Sequence, residues 1–236
     1  MGILSSQEGV ENIQIRHRSD MVSKFAEIMM EDFSKQQKDR TGLHRSDAIT
    51  CPLKAYWRLT GKYQAIFTSQ SVGILLIGTL AHLALHKNFD AKEEVHDLHG
   101  VTVTIDAITE MDGKRYPIES KTTRKKIYGK DQIPQEWFEQ LAIAMGVINA
   151  DRGYLMILNV ITYSMTVWEV SMSTEEREMF LNGCIWQVGS ILDAIKQGKP
   201  ELLQPKHDMC DWCPYKPSRS REDGGCPFYK PKPRKD

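Results

Sequence analysis

The positions of the cysteines constrain the fold more than any other feature of this sequence. Cys210, Cys213 and Cys226 lie in the C-terminal tail, whereas Cys51 lies far upstream in front of Pro52. The start of the chain lacks the basic and apolar pattern of a secretion signal, so we expect a cytoplasmic protein with reduced thiols. Metal ligation therefore explains these cysteines better than disulfides. A shared centre would require the tail to fold back against Cys51.

The type of metal centre is not decided by the cysteine spacing. The C-x2-C pair is a strong metal signal, and four thiolates can hold either Zn²⁺ or a [4Fe-4S] cluster. Cys184 is predicted to be a small buried residue inside a helix, outside the centre. The tail over residues 204 to 236 has too few apolar residues for a core of its own, so the centre would have to hold it in place.

Composition limits the class of protein. A chain of 236 residues that is 41% hydrophobic can form one large domain, or a core with a small appendage. Lysine and arginine together number 31, as do aspartate and glutamate, so a nucleic-acid partner must be argued from local patches. The longest apolar run, residues 72 to 85, is too short to span a membrane and predicts a buried helix over about 71 to 88.

Hydrophobic periodicity predicts an α/β protein. Period-two patterns indicate a hairpin between residues 93 and 122 and two further strands at 154 to 159 and 164 to 171. Helical spacing predicts a helix over 19 to 37, a short helix from Pro52 to Gly61, a helix over 134 to 149 and a long one from about 173 to 198. Ser173 with Glu176 forms a capping-box pattern at the start of the long helix.

The hairpin brings two carboxylates together in the predicted register. Asp112-Gly113 tolerates the positive φ values that a two-residue hairpin loop requires, and a turn there places Asp106 opposite Glu119. Opposed side chains have Cβ atoms about 4.5 to 5.5 Å apart, so two acids repel unless a cation lies near them. Lys121 returns to the same face as Glu119.

These three residues have two interpretations. A solvated strand face carrying charges by chance is the simpler one. The alternative is catalytic, because two oxygen ligands suit Mg²⁺ or Mn²⁺ and a neighbouring lysine can position or help deprotonate the attacking water. Phosphodiester hydrolysis requires those elements.

A basic run follows the second strand of the hairpin. It contains Arg124, Lys125, Lys126 and Lys130, with Tyr128 among them. A solvated loop would have the same composition. Its position beside the acids favours contacts to DNA phosphates, with Tyr128 stacking on an unpaired base.

Several motifs in order resemble one nuclease family. Gly78-x3-His82, Asp106, Glu119-Ser120-Lys121 and Gln140, together with the one-plus-three cysteine pattern, resemble the RecB-like branch of the PD-(D/E)xK nucleases. Within that branch the chain is most similar to the CRISPR-associated Cas-four exonucleases. The resemblance covers roughly residues 46 to 228.

The resemblance implies a fold and a division of the chain. The expected core is restriction-endonuclease-like, with a central mixed sheet flanked by helices. Residues 1–70 would be an N-terminal helical region that contributes one cluster ligand. Residues 71–200 would be the nuclease core, and residues 201–236 a cluster-binding tail.

The resemblance also implies roles for individual residues. His82, Asp106 and Glu119 would bind Mn²⁺ or Mg²⁺ with the backbone carbonyl of Ser120, Lys121 would position the water, and Gln140 would orient Lys121 or the DNA. The four cysteines Cys51, Cys210, Cys213 and Cys226 would hold a structural [4Fe-4S] cluster.

The implied activity is cleavage of single-stranded DNA ends or overhangs. Its setting would be the trimming of new spacers for the CRISPR integrase in prokaryotic antiviral defence. The alternative is a weakly active or inactive iron-sulfur module that binds DNA, docks on the integrase or serves DNA repair.

The chain departs from the family at Ala144. The family has an aromatic residue, typically tyrosine, four positions after the glutamine, where this chain has Ala144. The contact made by that aromatic is therefore absent or supplied by another residue, such as Trp137.

Overall fold

A computed structural model describes residues 42–67, 73–81, 93–218 and 221–231, all within one compact unit, Arg40–Asp236. The helix predicted over 19–37 and the candidate ligand His82 lie outside the described residues. Within the described part of the chain, no helix is long and apolar enough to cross a membrane.

The strands form two mixed sheets. In the first, β3 lies between β1, to which it is parallel, and β2, to which it is antiparallel. In the second, the order is β4-β5-β6-β7, and only β5 and β6 are parallel. The strands are β1 (Leu43–His44), β2 (Glu94–Leu98), β3 (Val101–Ile105), β4 (Ala107–Met111), β5 (Lys114–Thr123), β6 (Arg152–Asn159) and β7 (Ser164–Ser171).

The hairpin register agrees with the prediction. β4 and β5 are joined at Asp112-Gly113, where φ is 52° and 70°, and Ala107 pairs with Ile118. Asp106 would be the next residue in this ladder. Instead it forms the bend at which the chain passes from the first sheet to the second. The structure therefore has two sheets where the resemblance implied one central sheet, because the chain bends at Asp106 and continues in the second sheet.

Four helices with described ends flank the sheets: α1 (Arg45–Ile49), α2 (Pro52–Thr60), α3 (Gln135–Val147) and α4 (Thr174–Gln197). The last three confirm predicted helices. The predicted capping box is present at α4, where Ser173 Oγ accepts the Glu176 N–H at 3.2 Å and Glu176 Oε2 accepts the Ser173 N–H at 2.7 Å. Such caps satisfy N–H groups that have no partner inside the helix.

The main hydrophobic cluster joins the first sheet to α1, α2, α4 and the C-terminal half of α3. Val101, Ile105, Trp57 and Ile191 are among its fully buried members. A second cluster packs Leu141 and Met145 of α3 against Leu155 and Ile157 of β6. Since β6 is the neighbour of β5 in the sheet, this packing places α3 beside the centre of β5.

The helix predicted from the longest apolar run is present over residues 73–81, but its predicted burial is wrong there. Residues 73–81 are helical, but Ile74, Ile77 and Leu80 are 43%, 43% and 56% exposed. The main cluster is filled by β3 and by residues of all four helices α1 to α4, which bury one another. Apolar composition alone did not reveal that this segment lies outside that cluster.

Candidate functional site

Glu119 lies at the buried centre of the second sheet. β5 is flanked by β4 and β6, and its residues 116 to 120 are all buried. Glu119 itself is 1% exposed. Strands covered on both faces lose the in-out alternation expected of a strand with one solvated face. The interpretation of a solvated charged face is therefore wrong for Glu119.

Among the described residues, a cation contacts each oxygen of the Glu119 carboxylate. Lys121 Nζ donates to Glu119 Oε1, and also to Gln140 Oε1 at 2.7 Å. Arg45 Nη2 lies 3.0 Å from Glu119 Oε2, while its Nη1 donates to the backbone carbonyl of Gln140 at 2.8 Å. The structure thus brings Lys121 beside Glu119, as the hairpin pattern predicted, and adds Gln140, which the resemblance alone had placed there, and Arg45.

Asp106 lies next to this group. It is 8% exposed, and its Oδ2 accepts the backbone N–H of Ser120 at 2.8 Å. Ser120 directly follows Glu119, so this hydrogen bond anchors the Asp106 carboxylate beside the strand that carries the other acid. The hydrogen bond to Asp106 uses the N–H of Ser120, whereas the resemblance assigned metal binding to the Ser120 carbonyl.

The oxygen donors fit a hard divalent ion in type. Asp106 and Glu119 supply carboxylate oxygens, the ligand type that Mg²⁺ and Mn²⁺ prefer. Within the described residues, however, no group of three or more His, Cys, Asp or Glu side chains is arranged to hold a metal ion. Of the three side chains expected to bind the ion, the described residues contain two.

A second candidate site is a cavity that contains the four predicted cysteine ligands, here called the thiol cavity. Cys51, the N-cap residue of α2, lines it together with Cys210, Cys213 and Cys226 from the tail. Cys184 does not line the cavity. It is 4% exposed, and burial raises its pKa to about 11. The structure therefore places these four cysteines around one cavity, although within the described residues no three of them are arranged as ligands of a single metal ion.

The chemistry of the thiol cavity fits a tetrathiolate centre. Burial raises the pKa of the Cys213 and Cys226 thiols, so a metal must displace their protons as it binds. Within the described part of the chain, the buried Trp57 Nε1 has no hydrogen-bond partner, and the indole is close enough to Cys226 to offset part of the rise in the pKa of that thiol. An N–H in this position could donate to a ligating sulfur. Thiolate donors suit both Zn²⁺ and [4Fe-4S] in type.

Backbone contacts hold the tail at the thiol cavity. The Cys226 N–H donates to the Tyr215 carbonyl at 2.7 Å. The buried guanidinium of Arg221 donates to the carbonyls of Pro214 and Gln64 at 3.0 and 2.7 Å, and so ties the tail to the segment after α2. Lys206, which lines the cavity, donates to the Ile49 carbonyl at the end of α1.

The basic run lies at the surface directly after β5. Arg124, Lys125, Lys126 and Lys130 are exposed, and Tyr128 is 74% exposed. This is the placement required of residues that contact a nucleic acid.

Trp137 and Ala144, the two positions connected with the aromatic contact of the family, are less exposed than Tyr128. Trp137 is partly buried against the cluster of Leu141 and Leu155. Ala144 is 1% exposed within the main cluster, so an aromatic side chain at this position would meet the core.

Arg45 is the site residue that the sequence did not reveal. It lies in a polar stretch before Cys51, without a period or motif to single it out. Its importance depends on a contact with a residue on a distant strand, and such a contact leaves no local signal.

Comparison with known proteins supports the fold alone. No protein-family model matches the chain, and no curated protein matches it. The chain is similar to the crystal structure of SSO0001, with a TM-score of 0.54 and 16% sequence identity, covering 83% of this chain and 94% of that one. The shared architecture is a mixed α/β fold.

The two glycines before Cys226 allow a test of whether the Tyr215–Cys226 contact holds the thiol cavity together. Gly224 and Gly225 both have positive φ, 72° and 74°. A Cβ on Gly224 would meet nothing within 4 Å, whereas one on Gly225 would lie 2.9 Å from the Tyr215 carbonyl oxygen. Gly224→Ala should therefore cost about 1–2 kcal/mol of unfolding free energy through φ strain alone. Gly225→Ala should cost more and should lower the metal content, because it pushes Cys226 away from Tyr215.

Denaturant unfolding and metal analysis of the two variants measure this difference. Equal stability and equal metal content in both would contradict the proposed role of the Tyr215–Cys226 contact.

Proposed function

We propose that this chain is a Mn²⁺- or Mg²⁺-dependent nuclease that cleaves single-stranded DNA ends or overhangs. The observation that carries the proposal is the convergence of Glu119, Lys121 and Gln140, with Asp106 anchored to the adjacent backbone. A buried acid, an ammonium group and an amide that fixes the ammonium are the parts that metal-assisted phosphodiester hydrolysis uses.

Each residue has a distinct role in this proposal. Asp106 and Glu119 would hold the ion together with His82. The bound ion would polarise the phosphate and lower the pKa of the attacking water. Lys121 would orient that water, and Gln140 would keep the ammonium in place through the hydrogen bond to its Nζ, 2.7 Å long.

The basic run would deliver the strand to the acids. Its arginine and lysines follow β5 directly and are exposed, so they are placed to contact phosphates next to the scissile bond. The exposed ring of Tyr128 can stack on an unpaired base. Single strands present such bases, which favours single-stranded DNA and overhangs as substrates.

The thiol cavity would hold a structural [4Fe-4S] cluster in a RecB-type fold. Convergence of the four cysteines, the buried indole N–H and the lysines that line the cavity support this assignment. The order of motifs further favours a Cas-four-like role in the prokaryotic cytoplasm, in which new CRISPR spacers are processed before the integrase inserts them.

One observation favours a second candidate function. Both oxygens of Glu119 already contact cations, so the acid can be neutralised without a divalent ion. A module that binds DNA or docks on the integrase, with weak or no cleavage, would also have this arrangement. Activity measurements separate the two functions.

Cleavage of end-labelled single-stranded DNA in Mn²⁺ tests the active site. Lys121→Ala and Glu119→Gln should each lower kcat at least 100-fold, because each removes a group from the reacting centre. Lys114→Ala is the matched control, since Lys114 lies at the exposed far end of the same strand. Full activity in both site variants would contradict the assignment, and an inactive native protein would favour the binding module.

Salt dependence of DNA binding tests the basic run. For single strands the slope of log affinity against log salt is about −0.7 per neutralised phosphate. The double variant Lys125→Ala/Lys126→Ala should therefore flatten the slope by about 1.4 and raise KM with little change in kcat. An unchanged slope would show that these lysines make no phosphate contacts.

Iron and sulfide analysis tests the thiol cavity. The protein purified without air should be brown and contain iron and acid-labile sulfide. Cys51→Ala should lose both, whereas Cys184→Ala should retain them because Cys184 lies outside the cavity. A colourless native protein that contains zinc would exclude the cluster.

A further inference from the structure

Arg45 makes more contacts than a simple ion pair requires. Its side chain is 8% exposed, with Nη2 3.0 Å from Glu119 Oε2. Its Nη1 donates to the Gln140 carbonyl at 2.8 Å. The planar guanidinium therefore joins the acid on β5 to the backbone of α3 at the residue whose side chain holds Lys121.

The two cations that contact Glu119 differ in how firmly they are held. Arg45 is buried and held at two points, by the hydrogen bond from Nη1 to the Gln140 carbonyl and by the ion pair of Nη2 with Glu119 Oε2. Lys121 ends a flexible stem and its side chain is 19% exposed. A ligand that enters from the surface can displace Lys121 from Oε1 more easily than Arg45 from Oε2. The two carboxylate oxygens of Glu119 therefore differ in how easily a ligand can reach them.

The helix that begins with Arg45 is held at both ends. Asp47 Oδ2 accepts the His44 N–H at 2.9 Å and pairs with Arg58 at 2.6 Å. At the other end, the Ile49 carbonyl accepts a hydrogen bond from Lys206, a residue of the thiol cavity. The position of Arg45 is thus set by polar contacts at both ends of α1.

We propose that Arg45 is a positioning residue, which holds Oε2 of Glu119 so that Oε1 is the oxygen presented to a divalent ion. This inference rests on the proposed nuclease function. Because the Arg45 side chain is only 8% exposed, its role in this proposal is to hold the acid and not to contact DNA.

Arg177 provides a matched control for the test. It is 6% exposed, and it donates to the Met172 carbonyl at 2.9 Å and to Asn149 Oδ1 at 3.0 Å. Like Arg45 it joins a backbone carbonyl to a side chain, but it lies at the start of α4, outside the acid site. Its loss reports the effect of removing a buried arginine on stability alone.

The experiment compares the native protein with Arg45→Gln, Arg45→Lys and Arg177→Gln. Mn²⁺ affinity is obtained from the electron paramagnetic resonance signal of free Mn²⁺, and kcat, KM and thermal unfolding are measured in parallel. Arg45→Gln should weaken Mn²⁺ binding by about 10- to 100-fold and lower kcat, with KM for DNA nearly unchanged. Arg45→Lys should show an intermediate loss, and Arg177→Gln should affect unfolding only.

Native Mn²⁺ affinity in Arg45→Gln, or an increase in it, would overturn the proposal, since Arg45 would then be structural or a competitor of the ion. If Arg45→Gln does not fold, Arg45→Lys decides, because one ammonium cannot occupy both positions of the fork. Native affinity in that variant would also overturn it. A native protein that neither binds Mn²⁺ through Glu119 nor cleaves DNA would instead show that the proposed function has failed.

Discussion

Burial of the Glu119 carboxylate is the constraint on which the candidate site depends. An ionised acid removed from water loses several kcal/mol of solvation, which only close partners offset. Arg45 and Lys121 supply those partners, one from α1 and the other from β5 itself. Removing one member of such a buried pair typically costs about 3–5 kcal/mol. The interaction that would build the active site therefore also joins α1 to the second sheet.

The thiol cavity imposes a second constraint through the same short helix. Cys51 lies just beyond the end of α1, and Lys206 of the cavity donates to the Ile49 carbonyl. The tail contributes few apolar residues, and its backbone and Arg221 contacts hold three cysteines against the start of α2. The acid site and the thiol cavity thus contact opposite ends of a five-residue helix, through Arg45 and Ile49. Damage to either should alter how α1 is held.

Local patterns predicted the parts of the fold in which two independent signals agree. The hairpin register followed from the Asp112-Gly113 turn and the apolar alternation together, and α4 followed from its periodicity and its capping box. The division into two sheets was missed because alternation continues through Asp106. Arg45 was missed because its contact joins residues far apart in the chain. His82 lies outside the described residues, so its role stays a prediction.

The most direct test of the account is a crystal structure of the protein soaked in Mn²⁺, with diffraction data collected at the manganese absorption edge. The account predicts an anomalous peak between the carboxylates of Asp106 and Glu119, with Lys121 moved from Oε1 and Arg45 still on Oε2. No peak at these acids at saturating Mn²⁺, with Lys121 and Arg45 both still on Glu119, would show that the buried acid is a structural ion-pair centre and would contradict the account.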